Sequence, residues 1–222
     1  MLDLIKESWN QPSTSLQIPR REENNYRTHK NDTAFLTKHP APNSIIVQSN
    51  QSQAGNRSKV TPTNREGWKL DVLGLRLYSL ASFVMRVSNY QAAMGAYQRQ
   101  LWSKRLPILQ AAPEETRAAV LNTHLEATTL AKQQCLASRH TADATSKAMT
   151  SAIALKRHAW LRSVGITDYA RSHIEDLSFD SAGLFNEKKD EVIENLHKIQ
   201  ENNSFLFSPT TMFPNVSVAQ TF

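Results

Sequence analysis

The sequence predicts an all-α protein: an elongated hairpin of two long helices with short helices after it, a disordered arm before it, and a second copy of the chain pairing with it as a coiled-coil homodimer. Three observations carry that expectation. From Leu70 onward apolar residues recur at alternating steps of three and four, the spacing that keeps one stripe turned toward a neighbour along a helix. From Glu114 to Ser163 there is no proline or glycine, and eleven alanines fall between Ala118 and Ala159. Residues 10 to 63, by contrast, hold five of the nine prolines among many Ser, Asn, Gln and Thr, with no sustained apolar period.

Residues 1–62 therefore read as an extended, disordered amino-terminal arm. Within it HPAPNSIIV (His39 to Val47) has two prolines one residue apart and then a β-branched run, a pattern for an extended segment that docks onto something else. The elongated helical domain is expected over 63–201. It opens at TNRE (Thr63 to Glu66), which fits a capping box with Thr63 as N-cap and Glu66 at N3.

The first long helix carries the heptad seam Leu70, Leu73, Leu77, Leu80, Val84, Val87, Met94 and Leu101, with Gln91 and Gln98 at intervening seam positions. Tyr78, Tyr90, Ala93, Tyr97 and Trp102 widen it, so the helix offers apolar surface to more than one neighbour. Pro107 and Pro113 bracket an expected break, LPILQAAP, after which Pro113 suits the first helical position and Glu114 and Glu115 the positive end of the macrodipole. The alanine-rich helix that follows would be a rod of roughly 75 Å, and its small residues permit close approach of another helix.

Gly165 is placed as the C-cap of that helix. Just before it, LKRHAWLRSVG threads Trp160 and two leucines between Lys156, Arg157, His158 and Arg162. The basic residues there would complement the negative end of the dipole while Leu155, Ala159 and Trp160 are buried; direct nucleic-acid contact is the competing reading. TDYARSHIEDL is a short amphipathic helix capped by Thr167, SFDSAGLF a hydrophobic turn carrying Phe179, Leu184 and Phe185, and NEKKDEVIENLHKIQENN a charged last helix. Residues 202–222 read as a flexible tail.

The formal charge of +6 is unevenly spread. Residues 63 to 165 carry fourteen Lys/Arg and six Asp/Glu, whereas residues 166 to 222 carry four and nine. A basic middle before an acidic end points to an anionic partner or to pairing between the two regions. Only Cys135 is available for thiol chemistry, which excludes an intramolecular disulfide and favours a reducing compartment. No apolar run reaches the length of a membrane span, and the first residues lack the pattern of a secretory signal, so a soluble intracellular chain with no membrane partner is expected.

Catalysis finds little footing. No nucleophile elbow or dyad is recognisable, His124, His140, His158 and His173 stand 16, 18 and 15 residues apart, and no glycine-rich phosphate loop occurs. The adjacent carboxylates Glu114 and Glu115, and Glu175 and Asp176, sit near helix ends, where dipole and capping roles account for them. The expectation is a non-enzymatic protein with no catalytic residue, no metal and no cofactor.

Three stretches in fixed order carry a resemblance: FLTKHPAPNSIIV (Phe35 to Val47), WKLDVLGLRLYSLASFVMRVSNYQAAMGAYQRQLW (Trp68 to Trp102) and LKRHAWLRSVGITDYARSHIEDLSFDSAGLF (Leu155 to Phe185). Together they resemble the carboxy-terminal domain family of lamina-associated polypeptide 2 alpha, and equally the related Gag-like proteins of DIRS-type retrotransposons. The chain departs from that pattern at Leu75-Arg76, where two basic residues are usual, and in the tail from Glu201.

The resemblance implies an antiparallel four-helix coiled-coil homodimer in the nucleoplasm. It would serve as a nuclear scaffold that binds A-type lamins and the retinoblastoma protein. Arg157, Trp160, Arg162, Phe179, Leu184 and Phe185 become candidate partner-binding residues. The alternative is a retrotransposon-derived Gag-like protein that binds nucleic acid weakly and without sequence preference, through Lys/Arg on phosphates. The scatter of the basic residues and the lack of a zinc knuckle weigh against it.

Overall fold

The computed structural model describes residues 2–10, 18–28, 33–42, 61–62, 64–162, 168–179 and 183–185, with the single positions 191 and 195. The elements are α1 (Leu2–Asn10), α2 (Arg20–Asn25), a 3-10 turn (Ala34–Leu36), α3 (Arg65–Gln110), α4 (Glu114–Leu161) and α5 (Asp168–Glu175). The fold is all-helical, with no strand among the described residues.

Helix α3 starts one residue later than the capping-box reading placed it. Asn64 is the N-cap, its side chain accepting from the Glu66 amide at 3.0 Å, and Thr63 lies outside the described residues. It also runs through Pro107 to Gln110, so the expected break from Pro107 is reduced to the link Ala111–Pro113. Pro107 is exposed, so water can satisfy the carbonyl left without a donor one turn back, and only one helical bond is lost. Pro113 caps α4 from outside with extended backbone, ψ 144°, instead of occupying its first helical position.

With a three-residue link, α4 must fold back on α3, and the two pack antiparallel over their length. The register is constant. Gly67 meets Ala159, Gly74 meets Ala152, Gly95 meets Ala131, and Trp102 stands edge-on to His124, so each step forward on α3 matches an equal step back on α4. The contact stripe on α3 is Gly67, Gly74, Tyr78, Ala81, Ser88 and Gly95; on α4 it is Ala131, Ser138, Thr145, Met149, Ala152 and Ala159.

Residues this small bring backbone against backbone. A methyl group on Gly67 would lie 2.9 Å from the Ala159 carbonyl oxygen, and Ser88 Oγ donates to the Ser138 carbonyl at 2.5 Å. Alanine at position 67 would gain helix propensity of up to about 1 kcal/mol over glycine. It would also have to push apart two helix backbones, which have no side-chain freedom to yield. Gly67→Ala is therefore expected to lower stability by about 1–2 kcal/mol in denaturant titration, the sign opposite to that for an exposed helical glycine.

The core lies at one end of the hairpin. Leu36 from the 3-10 turn, Tyr78 and Ala81 from α3, Met149, Ile153, Trp160 and Leu161 from α4, Ile174 from α5, and Leu184 with Phe185 form one buried cluster. Toward the link, from residue 91 to residue 137, Gly95 and Ala131 alone among the described positions are buried. That half is two helices thick, and it exposes Met94, Tyr97, Leu101, Ile108, Leu125, Leu130 and Leu136.

The arm is not simply extended. Besides α1 and α2, the described part of it contacts α3 at several points. Tyr26 stacks edge-on against Phe83 and Tyr90, the Tyr90 hydroxyl donates to the Arg27 carbonyl at 2.9 Å, and Arg86 pairs with Glu23 at 3.3 Å. Farther along, Pro40 is buried and Ala41 accepts from the Leu184 amide at 2.9 Å. Gly165, Thr167, most of the 186–201 segment and the 202–222 tail lie outside the described residues.

Candidate functional site

Helix α3 presents three faces. The small-residue stripe meets α4. A second face, with Phe83, Arg86 and Tyr90, meets the arm. The third is the expected leucine seam, which nothing among the described residues covers fully: Leu73, Leu77, Leu80, Val84, Met94 and Leu101 are 38 to 53 % exposed, while Leu70 and Val87 are half-buried. Five of the eight seam residues stand one position before a residue of the internal stripe: Leu73 before Gly74, Leu77 before Tyr78, Leu80 before Ala81, Val87 before Ser88 and Met94 before Gly95. One residue is about 100° around a helix, so the two stripes are neighbouring faces of one rod.

The LKRHAWLRSVG stretch does more than close a helix. Lys156, 2 % exposed, reaches across the hairpin to place Nζ 2.8 Å from Asp71 Oδ1, and Trp160 Nε1 donates to that same oxygen at 3.0 Å. Arg157 is buried too. Its guanidinium donates to the carbonyls of Glu175, Leu177 and Ser178 at the end of α5 and, at 2.8 Å, to that of Leu184. The Glu175 carbonyl is one a terminating helix leaves unmet, and the others belong to the chain that follows it. His158 Nδ1 lies 2.8 Å from Glu175 Oε1.

The basic residues thus also tie other elements to α4, which ends at Leu161 with His158 in its last turn and Arg162 as C-cap. Ala159 and Trp160 are buried as the sequence suggests, and Leu155 is half-buried. Of the candidate partner-binding residues, Arg157, Trp160, Leu184 and Phe185 are buried, Phe179 packs half-buried against the core, and Arg162 is exposed, 3.4 Å from Glu66. Their position is internal because α5 and the 183–185 turn fold back over the end of α4.

Comparison with protein-family models, curated proteins and solved structures found no match. Among the described residues, no group of three His, Cys, Asp or Glu is arranged to hold a metal, and no helix is long and apolar enough to cross a membrane. Cys135 is half-buried, its Sγ 3.9 Å from the Ala92 carbonyl across from Gly95.

Tyr78 links the internal stripe to the arm, its hydroxyl donating to the Phe35 carbonyl at 2.7 Å. Burial pushes that hydroxyl up to about 12. The fold favours the neutral phenol, so below pH 10 folded and unfolded chains hold the proton alike. Above pH 10 the unfolded chain releases it first. Wild type is therefore expected to lose stability between about pH 10 and pH 12, by at most about 3 kcal/mol, in excess of any loss in Tyr78→Phe; paired thermal melts across that window check it.

Proposed function

We propose that the chain is a non-enzymatic scaffold that works as a homodimer, two hairpins meeting along the leucine seam of α3 to form a four-helix coiled coil. The supporting observation is the uncovered seam. Six large apolar side chains at heptad spacing, more than a third exposed, form a stripe along α3, and isolated exposed apolar residues would not be ordered in this way. The internal stripe of glycine, alanine and serine buries little apolar area per residue, so the thin half of the hairpin gains little hydrophobic stabilisation alone. A second copy would supply it.

In this reading the scaffold acts in the nucleus, and its partners are of the kind the family resemblance implies, A-type lamins and the retinoblastoma protein. With most of the candidate contact residues internal, exposed Arg162 and the outer surface of α5 are where such a partner would meet the carboxy-terminal module. Small-angle scattering with in-line light scattering on the full chain tests the self-association. An elongated particle of twice the chain mass is expected, and a monomer at every concentration would refute the reading.

One observation favours nucleic acid as a second reading. Toward the link, Arg99, His124 and Lys132 line an open cleft of about 480 Å³ between α3 and α4. Binding there would be to phosphates and would weaken steeply with salt. Absence of binding at 50 mM salt would dismiss it.

A further inference from the structure

Where the arm crosses α3, the two enclose a cavity of about 620 Å³. Its walls carry three cations, Arg27, Lys38 and Arg86, against one carboxylate, Glu23, and Thr28, Thr33 and Thr37 line the same space. We infer that this cavity is a binding site for a small anion carrying phosphate groups, and that such an anion fastens the arm to α3. This is independent of the self-association reading.

The chemistry of the walls points that way. Arg86 is the floor, its side chain 7 % exposed, and its one carboxylate partner stands at 3.3 Å, longer than the 2.7–2.9 Å of a well-formed guanidinium–carboxylate bond. Glu23 is itself 38 % exposed and can swing into water at little cost, leaving the planar guanidinium to take two oxygens of a phosphate. Arg27, held by Asn24 at 2.8 Å, and exposed Lys38 stand on opposite arm segments as a second and third cation. Thr33 Oγ1 donates to Thr28 Oγ1 at 2.8 Å and Thr37 Oγ1 to the Ala34 carbonyl at 3.0 Å, which holds these side chains beside the cations and leaves the Thr28 proton for a ligand. Three cations and one hydroxyl donor around a common space suit the several oxygens of a phosphate better than the two of a carboxylate. The volume holds more than one phosphate group. Because the walls come from residues 23–28, 33–38 and Arg86, the ligand would bridge the two arm segments and α3.

Calorimetric titration of the full chain with inorganic pyrophosphate, against chloride at equal ionic strength, is the test. One saturable site per chain is expected, with the dissociation constant rising about tenfold in Arg27→Gln and again in Lys38→Gln, each checked for native helix content by circular dichroism. Amide exchange in residues 20–28 and 33–42 should slow with pyrophosphate. Arg86→Gln should abolish binding; if it fails to fold, the two rim variants decide. No saturable heat, binding that survives the Arg27→Gln, Lys38→Gln double variant, or binding lost instead in Arg99→Gln with Lys132→Gln, would each overturn the assignment.

Discussion

Asp71→Ala is expected to destabilise the protein by about 3–5 kcal/mol, a large share of what a domain of this size has to lose. The carboxylate neutralises Lys156, whose ammonium crosses the hairpin in a position 2 % exposed, and it also accepts from the Trp160 indole. Without it a cation is held in the core-side wall of α4 with no counter-charge. A double substitution separates charge from packing. Asp71→Asn with Lys156→Met removes both charges and keeps an oxygen for Trp160, so it should lie within about 1.5 kcal/mol of wild type. Denaturant titration of the three proteins at one fixed concentration reads this out. A double variant as unstable as Asp71→Ala would mean that the pair is not the source of the loss.

Leu77→Asp with Val84→Asp is expected to yield a folded monomer. Both positions are about two-fifths exposed in the single chain, so the charges stay solvated there, and helix content and the buried end cluster should survive. In the proposed dimer the same residues of both copies face one dry seam, which would then hold four carboxylates. Burying even one without a partner is prohibitive, and dimer dissociation should rise by at least about a thousandfold. Light scattering gives the mass and circular dichroism the fold. A variant that stays dimeric would place the interface elsewhere; one that unfolds would show that the hairpin does not fold without a covered seam.

Much of the rod was legible in the sequence. Two long helices, their approximate ends and the heptad stripe follow from spacing and from where proline and glycine are missing, and α3 and α4 are where those signals put them. The face by which α3 meets α4 was hidden because hydrophobic patterning looks for large side chains. The leucines announce one stripe, while the stripe with Gly67, Gly74, Ala81, Ser88 and Gly95 is nearly silent on any hydropathy reading yet makes the close contact with α4. The buried cations were hidden for a similar reason. Lys156 and Arg157 resemble surface charges until the tertiary fold brings Asp71 and the carbonyls of α5 to them. The cavity beneath the arm could not be anticipated either, since its cations lie as far apart in sequence as Arg27 and Arg86.

The matched register of the hairpin also limits how this chain can change in length. A residue gained in α3 alone would slip every later glycine off its alanine and turn bulk into a gap made for none. An insertion or deletion can be absorbed only in step, by both helices at once and in units of about seven residues, which return each stripe to the same face. The link at Ala111–Pro113 can lengthen freely, whereas the two arms it joins must grow or shrink like the legs of a ladder, one pair of rungs at a time.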